Sequence, residues 1–282
     1  MDVFSAGAVF VFGAVIGSFL NVVIYRLPRG KSIVRPSSRC SFCRSPIPAF
    51  LNLPIFGYFL ARGRCLKCGH SFSMRYAAIE LLTATIFLAV WINYGWSQVF
   101  VVFSILSCLL ICASFIDLDL KMIPDEINLG GSFLFVFLAL FVSEGFGLQA
   151  GGSWIDSPWL GVAVANPFWV SLFGAVFGYS FLWVVSRSFY WITGDEGLGL
   201  GDAKLMALVG SVLGVQGVVL SVVIGAASGA LIGLGILASL PKGKRRRFPI
   251  PFGPFLCFGA FVGIFQLDYL LWNLLDLVRP WQ

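Results

Sequence analysis

The chain has 282 residues, is 59% hydrophobic and only 11% charged, and carries a net charge of +6. Soluble domains carry about 25% charged residues, so this composition excludes an ordinary water-soluble fold and predicts an all-α polytopic membrane protein in a lipid bilayer. The positive balance does not imply a nucleic-acid partner: the cations cluster in 26–75 and in Lys242–Arg247, each beside apolar stretches, as topology-setting charge does.

The first apolar run, Val3 to Ile24, carries no charge and is followed rather than preceded by basic residues. It is too long for the apolar region of a signal peptide, about 7–15 residues. It reads as a first transmembrane helix, 1–25, with its N-terminus outside. A polar segment, 26–75, follows, and the remainder, 76–282, is a bundle of further spans. A spanning helix needs about 20 apolar residues. That ruler gives eight candidates, at roughly 3–24, 76–92, 98–116, 127–143, 167–187, 203–217, 218–240 and 252–272. Only Gly214 to Gly217 separates the sixth from the seventh. With the N-terminus outside, eighteen of the nineteen Lys and Arg fall on the inner side or its borders, and only Arg279 falls outside. That asymmetry sets the orientation, and it requires the 214–217 hairpin. Trp91, Trp96, Trp154, Trp159 and Trp169 are placed for an interfacial aromatic belt. No internal repeat is evident.

The polar segment holds two CxxC pairs, Cys40 with Cys43 and Cys65 with Cys68. Two such pairs about 20 residues apart read as a tetrahedral, structural zinc site. The inner side of a membrane disfavours disulfides, and a loop-rich insertion gains its folding energy from a metal. The alternative is redox-active or unpaired thiols. His70, the sole histidine, reads as a loop residue because four sulfurs already fill the shell. Cys108, Cys112 and Cys257 lie in apolar runs and read as small buried hydrophobes.

Thirteen acidic residues serve the whole chain, so each one near a span is a functional candidate. The first cluster is FIDLDLKMIPDEI, with Asp117 and Asp119 at the inner end of the third span. Pro124 closes it, and Asp125 is placed to cap the fourth span, with Glu126 in its first turn. The second cluster is GDEGLGLGDAKL, in which Gly197, Gly199 and Gly201 lead to Asp202 and Lys204. No strand precedes these glycines, which argues against a dinucleotide fingerprint. They read as sites of tight backbone packing and substrate approach. Two carboxylates from different helices, sharing one proton, can activate water and protonate a peptide carbonyl without Ser, His or metal. Position alone leaves open that Asp117 and Asp202 are helix-end residues facing headgroups.

Read together, these stretches resemble the prepilin peptidase family of GxGD-type membrane aspartyl proteases. GSFLNVVIYRLP (17–28), the four-cysteine stretch, RYAAIELLTA, FIDLDLKMIPD, EGLGLGDAKLMALVG with GLGD at 199–202, and PFGPFL (251–256) carry the likeness. The resemblance implies that Asp117 and Asp202 are the catalytic pair, supported by Gly199, Gly201, Lys204, Pro124 and Asp125. It implies cleavage of a short basic leader, after a glycine, from prepilin and pseudopilin precursors at the cytoplasmic face of the bacterial inner membrane. It also implies N-methylation of the new N-terminus from S-adenosylmethionine, with 26–75 and Glu80 near the substrate or methylation contacts. Leu51 stands where many members carry an acidic residue, a departure that bears on substrate preference and methylation. Asp195 and Glu196 are candidates to orient the basic leader. The rival readings are a peptidase without methylation, a non-catalytic zinc-ribbon membrane scaffold, and a transporter with a carboxylate proton relay.

Overall fold

A computed structural model describes residues 2–35, 39–40, 42–48, 51, 53–142, 144–146, 166–194, 199–239 and 251–265. Among these residues it is all-helical, with two isolated bridges and no strand. The helices are α1 (Val3–Arg26), α2 (Phe56–Leu60), α3 (Arg75–Tyr94), α4 (Gln98–Leu120), α5 (Asp125–Leu138), α6 (Pro167–Thr193), α7 (Leu200–Ser239) and α8 (Gly253–Ile264). Five stretches are long and apolar enough to cross a membrane: Val3–Arg29, Arg75–Tyr94, Gln98–Leu120, Pro167–Thr193 and Leu200–Gly235. α5, with 14 residues, and α8, with 12, fall short of that length. Eight full-length spans are therefore not met among the described residues.

The chain divides into two compact units, 1–96 and 97–282. In the first, α1 and α3 pack antiparallel through small residues. A Cβ added to Gly13 would meet Ala84 and Phe87, and one added to Gly17 would meet Glu80 and Thr83. With no hydrophobic effect between helices in lipid, such close backbone approach supplies the contact. The Asn21 side chain closes this seam by donating to the Tyr76 carbonyl at 3.0 Å.

The second unit is a bundle of α4 to α8. α7 runs 40 residues, yet Gly214 in its middle has φ 68° and ψ −168°. In a straight helix Gly210 and Val218 would stand about 12 Å apart. Here a Cβ on Gly210 would lie 3.0 Å from a Val218 methyl. The chain therefore reverses at Gly214, and α7 is two arms folded on each other, the reversal expected between the sixth and seventh apolar runs. The first arm packs antiparallel to α6: Gly174 meets Gly210, and Gly178 meets Met206, so closely that a methyl at either would strike backbone carbonyls. The second arm packs antiparallel to α8, with Gly259 against Ser221 and Gly225 against Phe255 and Leu256.

Two expectations change. Trp91 does not join an exposed belt: it is buried, with Trp96 edge-on at 6.1 Å, whereas Trp96 and Trp169 are exposed. The N-cap of α5 is Pro124, and Asp125 lies in the first turn. Its carboxylate takes an ion pair instead, described below. Trp154, Trp159, Gly197 and the cluster Lys242–Arg247 lie outside the described residues, as do Asp195 and Glu196.

Candidate active site and metal centre

α4 ends at Leu120 because Lys121 adopts a left-handed conformation (φ 54°), its N–H returning to the Asp117 carbonyl at 2.8 Å. Pro124 then starts α5 three residues later. This tight corner leaves Asp117 in the last turn of α4, buried, while Asp119 on the next face is exposed. The start of α8 lies against it: the Gly253 N–H donates to Asp117 Oδ2 at 3.0 Å. A side chain at 253 would strike that carboxylate, at 2.7 Å from an added Cβ. Glycine is thus required where backbone and carboxylate touch.

Asp202 lies in the first turn of α7, its N–H on the Gly199 carbonyl at 3.1 Å. Its carboxyl also accepts from the Gly199 backbone and interacts electrostatically with Asp117. The two aspartates, 85 positions apart in the sequence, thus lie within electrostatic reach of each other at one end of the bundle, from α4 and α7. The Cys257 thiol on α8 lies within electrostatic reach of both. It is buried as expected, but sequence reasoning missed its place beside the pair. Cys112 is buried and Cys108 half-buried.

The glycines before Asp202 differ from expectation. Among the described residues, a Cβ on Gly201 would meet the Ile123 nitrogen at 3.9 Å, and one on Gly199 would meet Asp202 Oδ2 and the Gly201 nitrogen, both at 3.9 Å. Among the described residues these are ordinary contacts rather than the close backbone approach expected.

Two contacts fix this loop on α5. Lys204 Nζ binds both oxygens of Asp125, at 2.7 and 2.8 Å, which explains that pair of motif residues. Asn128, fully buried, donates from its amide to the Gly201 carbonyl at 3.2 Å. Its Oδ1 is buried without a partner among the described residues. Sequence reading passed over Asn128 because nothing local marks an Asn in the first turns of a helix as reaching 73 residues along the chain.

In the first unit the four cysteine sulfurs lie within 4.8 Å of one another. Cys40 to Cys68 and Cys43 to Cys65 are each 3.8 Å. A tetrahedron with metal–sulfur bonds of about 2.3 Å has edges of about 3.8 Å, so the donor set fits such an ion. The two loops repeat one geometry. In each, the first cysteine N–H donates to the carbonyl five residues on (Cys40 to Ser45, Cys65 to His70). In each, the residue four on donates back to the cysteine carbonyl (Arg44, Gly69) in a left-handed conformation, φ 56° and 69°. Bridges Arg39–Pro46 and Arg64–Ser71 close both. This shared geometry was invisible in the sequence, where only RCxxC is common to the two loops.

The sulfurs differ in their electrostatic setting. Backbone N–H groups of Cys68 and Lys67 pull the Cys65 thiol down to about 6, and the Ser45 hydroxyl and N–H lower that of Cys43. Cys68 receives a His70 N–H yet is pushed up to about 12 by burial and its three neighbouring sulfurs. Crowded thiolates repel, and a bound cation relieves that repulsion. His70 is not a ligand: its ring stacks on Phe42 at 5.2 Å.

Glu80, half-buried on α3, accepts the Ile55 N–H at 2.6 Å.

Fold and site together define a multi-pass helical membrane protein with two aspartates in electrostatic reach of each other and a four-cysteine cluster that could hold a metal ion. A model of the bacterial peptidase A24 N-terminal domain matches residues 11–94, and one of the type IV leader peptidase family matches residues 104–234. The prepilin leader peptidase/N-methyltransferase of Aeromonas hydrophila is 33% identical, over 97% of this chain and 92% of that protein. Those of Neisseria gonorrhoeae (33%, over 93% and 91%) and Pseudomonas putida (32%, over 92% and 89%) are similar at nearly full length. No solved structure matches. The chain belongs to the type IV leader peptidase family and is a membrane peptidase.

Proposed function

We propose that the protein cuts the leader peptide from type IV prepilins and pseudopilins at the cytoplasmic face of the inner membrane, with Asp117 and Asp202 as the catalytic pair. The observation that carries this reading is that the carboxylates of α4 and α7 lie within electrostatic reach of each other at one end of the bundle, with Gly199 and Gly201 beside Asp202. The ionised member takes a proton from water as the water oxygen attacks the peptide carbonyl. The protonated member gives its proton to that carbonyl oxygen. Collapse of the tetrahedral adduct breaks the C–N bond, and a proton passes to the leaving amine. Gly253 holds the Asp117 carboxylate, and Asp125 with Lys204 and Asn128 hold the loop that presents Asp202.

Charge supports the cytoplasmic orientation. In the second unit's described residues Lys121, Arg187 and Lys204 are the only Lys or Arg, and all three lie toward the end that carries the aspartates. Zinc on Cys40, Cys43, Cys65 and Cys68 is the structural metal that the sulfur geometry suits. The names of the relatives support a second step, transfer of a methyl group from S-adenosylmethionine to the new N-terminal amine.

The test is incubation of purified protein with prepilin precursors, with and without S-adenosylmethionine, followed by mass spectrometry. Loss of the leader is expected in both arms and a one-methyl mass gain only with the donor. An intact precursor would overturn the peptidase reading, and an unmethylated product the second step. Asp117→Asn and Asp202→Asn, which a scaffold would tolerate, are expected to leave precursor uncut.

A further inference from the structure

The segment between α1 and α3 holds eight Lys or Arg and no Asp or Glu; between Asp2 and Asp117 the one carboxylate is Glu80. That carboxylate is engaged by the Ile55 N–H. Ile55 is the N-cap of α2 and holds a left-handed φ of 64°, which a β-branched residue adopts only under constraint. Glu80 therefore tethers the start of α2 to α3. It stands five residues past Arg75, about 7 Å along the helix axis from the start of a membrane span. With Arg75–Tyr94 crossing a bilayer, the first turns of α3 would lie at the headgroup–acyl boundary, and α2 would be held at that depth.

The exposed face of α2 suits that depth. Phe56, Phe59 and Leu60 follow i, i+3, i+4 spacing and so share one face. They are 70%, 59% and 63% exposed, and Leu53 just before them is 54% exposed. Gly57, on the opposite side, is buried against the Leu51 carbonyl. Arg62 and Arg64, directly after the helix, are exposed, as is Lys67. An apolar stripe rimmed by cations, with no exposed carboxylate in the segment, matches the surface of an anionic bilayer: acyl chains for the stripe, phosphates for the rim. A basic leader peptide carries the wrong charge for this rim.

We propose that α2 is an interfacial wedge: Phe56, Phe59 and Leu60 insert among lipid acyl chains while Arg62 and Arg64 bind anionic phospholipid headgroups, docking the four-cysteine loops onto the membrane surface. The wedge rests on the first unit alone and does not depend on the aspartate pair. A protein that fails to cut prepilins could still carry it, and the reverse.

The test uses the full chain in nanodiscs of equal phosphatidylcholine and phosphatidylglycerol. A photoreactive benzoylphenylalanine replaces Phe59 or, as a control, half-buried Tyr58. Illumination should add lipid mass at position 59 well above position 58. The ratio of phosphatidylglycerol to phosphatidylcholine adducts should exceed the equal ratio of the disc several-fold, at roughly fivefold for each cation engaged. Arg62→Glu with Arg64→Glu should return the adducts to the lipid ratio of the disc, with zinc content unchanged as the check on folding. High salt in the unsubstituted chain should do the same without a substitution. Equal adducts at 58 and 59 would overturn the wedge. So would lipid adducts with no headgroup preference, or adducts that shift to an added prepilin precursor.

Discussion

The two units solve the same problem, placing a few reactive side chains accurately, by opposite means. In the first, sulfurs three residues apart are set by two tight loops whose hydrogen bonds span at most five residues, and a metal would tie the loops together. In the second, no local device brings Asp117 to Asp202. Glycine contacts along α6, α7 and α8 set helix spacing, and single bonds from Gly253, Lys204 and Asn128 fix the last ångströms. Local order can be supplied by a cofactor, whereas long-range order has to be supplied by packing throughout the bundle.

The largest effect should come from neutralising either aspartate. Asp117→Asn or Asp202→Asn removes a proton-transfer partner, and a general acid or base contributes about 10²–10⁴-fold. We expect prepilin cleavage to fall by at least that much while zinc content and helix content stay at wild-type values. A parallel loss of zinc would mean that the two units are not separable in this way. The converse experiment changes all four cysteines to serine. Metal should be lost, and the 39–71 loops should become protease-sensitive, because structural zinc provides the folding energy of such loops. Amide exchange in α4 to α8 should not change. Zinc retained after that substitution would reject the site.

The same contrast explains what was legible in the sequence. CxxC spacing states its own geometry, so the metal site could be named residue by residue. Apolar run lengths located the helices, and the clustering of cations required a reversal that the Gly214 backbone supplies. Asp117 and Asp202 stood out because carboxylates are costly at membrane depth. That they pair was implied by the resemblance rather than by any local pattern, since the pairing depends on contacts spread over a hundred residues. Asn128 and Cys257 carry no local mark at all, and Asp125 was misread as a cap because Lys204, 79 residues away, competes for its carboxylate. The shared loop geometry of the two cysteine pairs was hidden because Arg44 and Gly69 look unlike while holding the same backbone shape.

Smaller effects sharpen the comparison inside the second unit. Gly174→Leu forces a side chain into the Gly210 carbonyl, and overpacking of this kind costs about 1–3 kcal/mol. Thermal unfolding should shift downward, with zinc binding by the first unit intact. Asn128→Leu leaves the Gly201 carbonyl without its donor, a cost of about 1–3 kcal/mol for a buried polar group. If its role is to hold the Asp202 loop, kcat should fall while KM for prepilin changes little, and Asn128→Gln should restore part of the loss. A variant with kcat unchanged would make Asn128 a packing residue only.

The smallest effect is the cleanest comparison of the two cysteine loops with each other. Both need a left-handed residue directly after their second cysteine. The second loop uses Gly69, which adopts φ 69° freely, and the first uses Arg44 at φ 56°. A side chain pays about 1–2 kcal/mol for that conformation. Arg44→Gly should therefore tighten zinc retention against a competing chelator by roughly five- to thirtyfold, while Gly69→Arg should weaken it by a similar factor. Opposite shifts of like size would establish that the loops are mechanical equivalents around one metal. If Arg44→Gly instead loosens the metal, the arginine side chain contributes more than its backbone costs, and the likeness of the two loops ends at their hydrogen bonds.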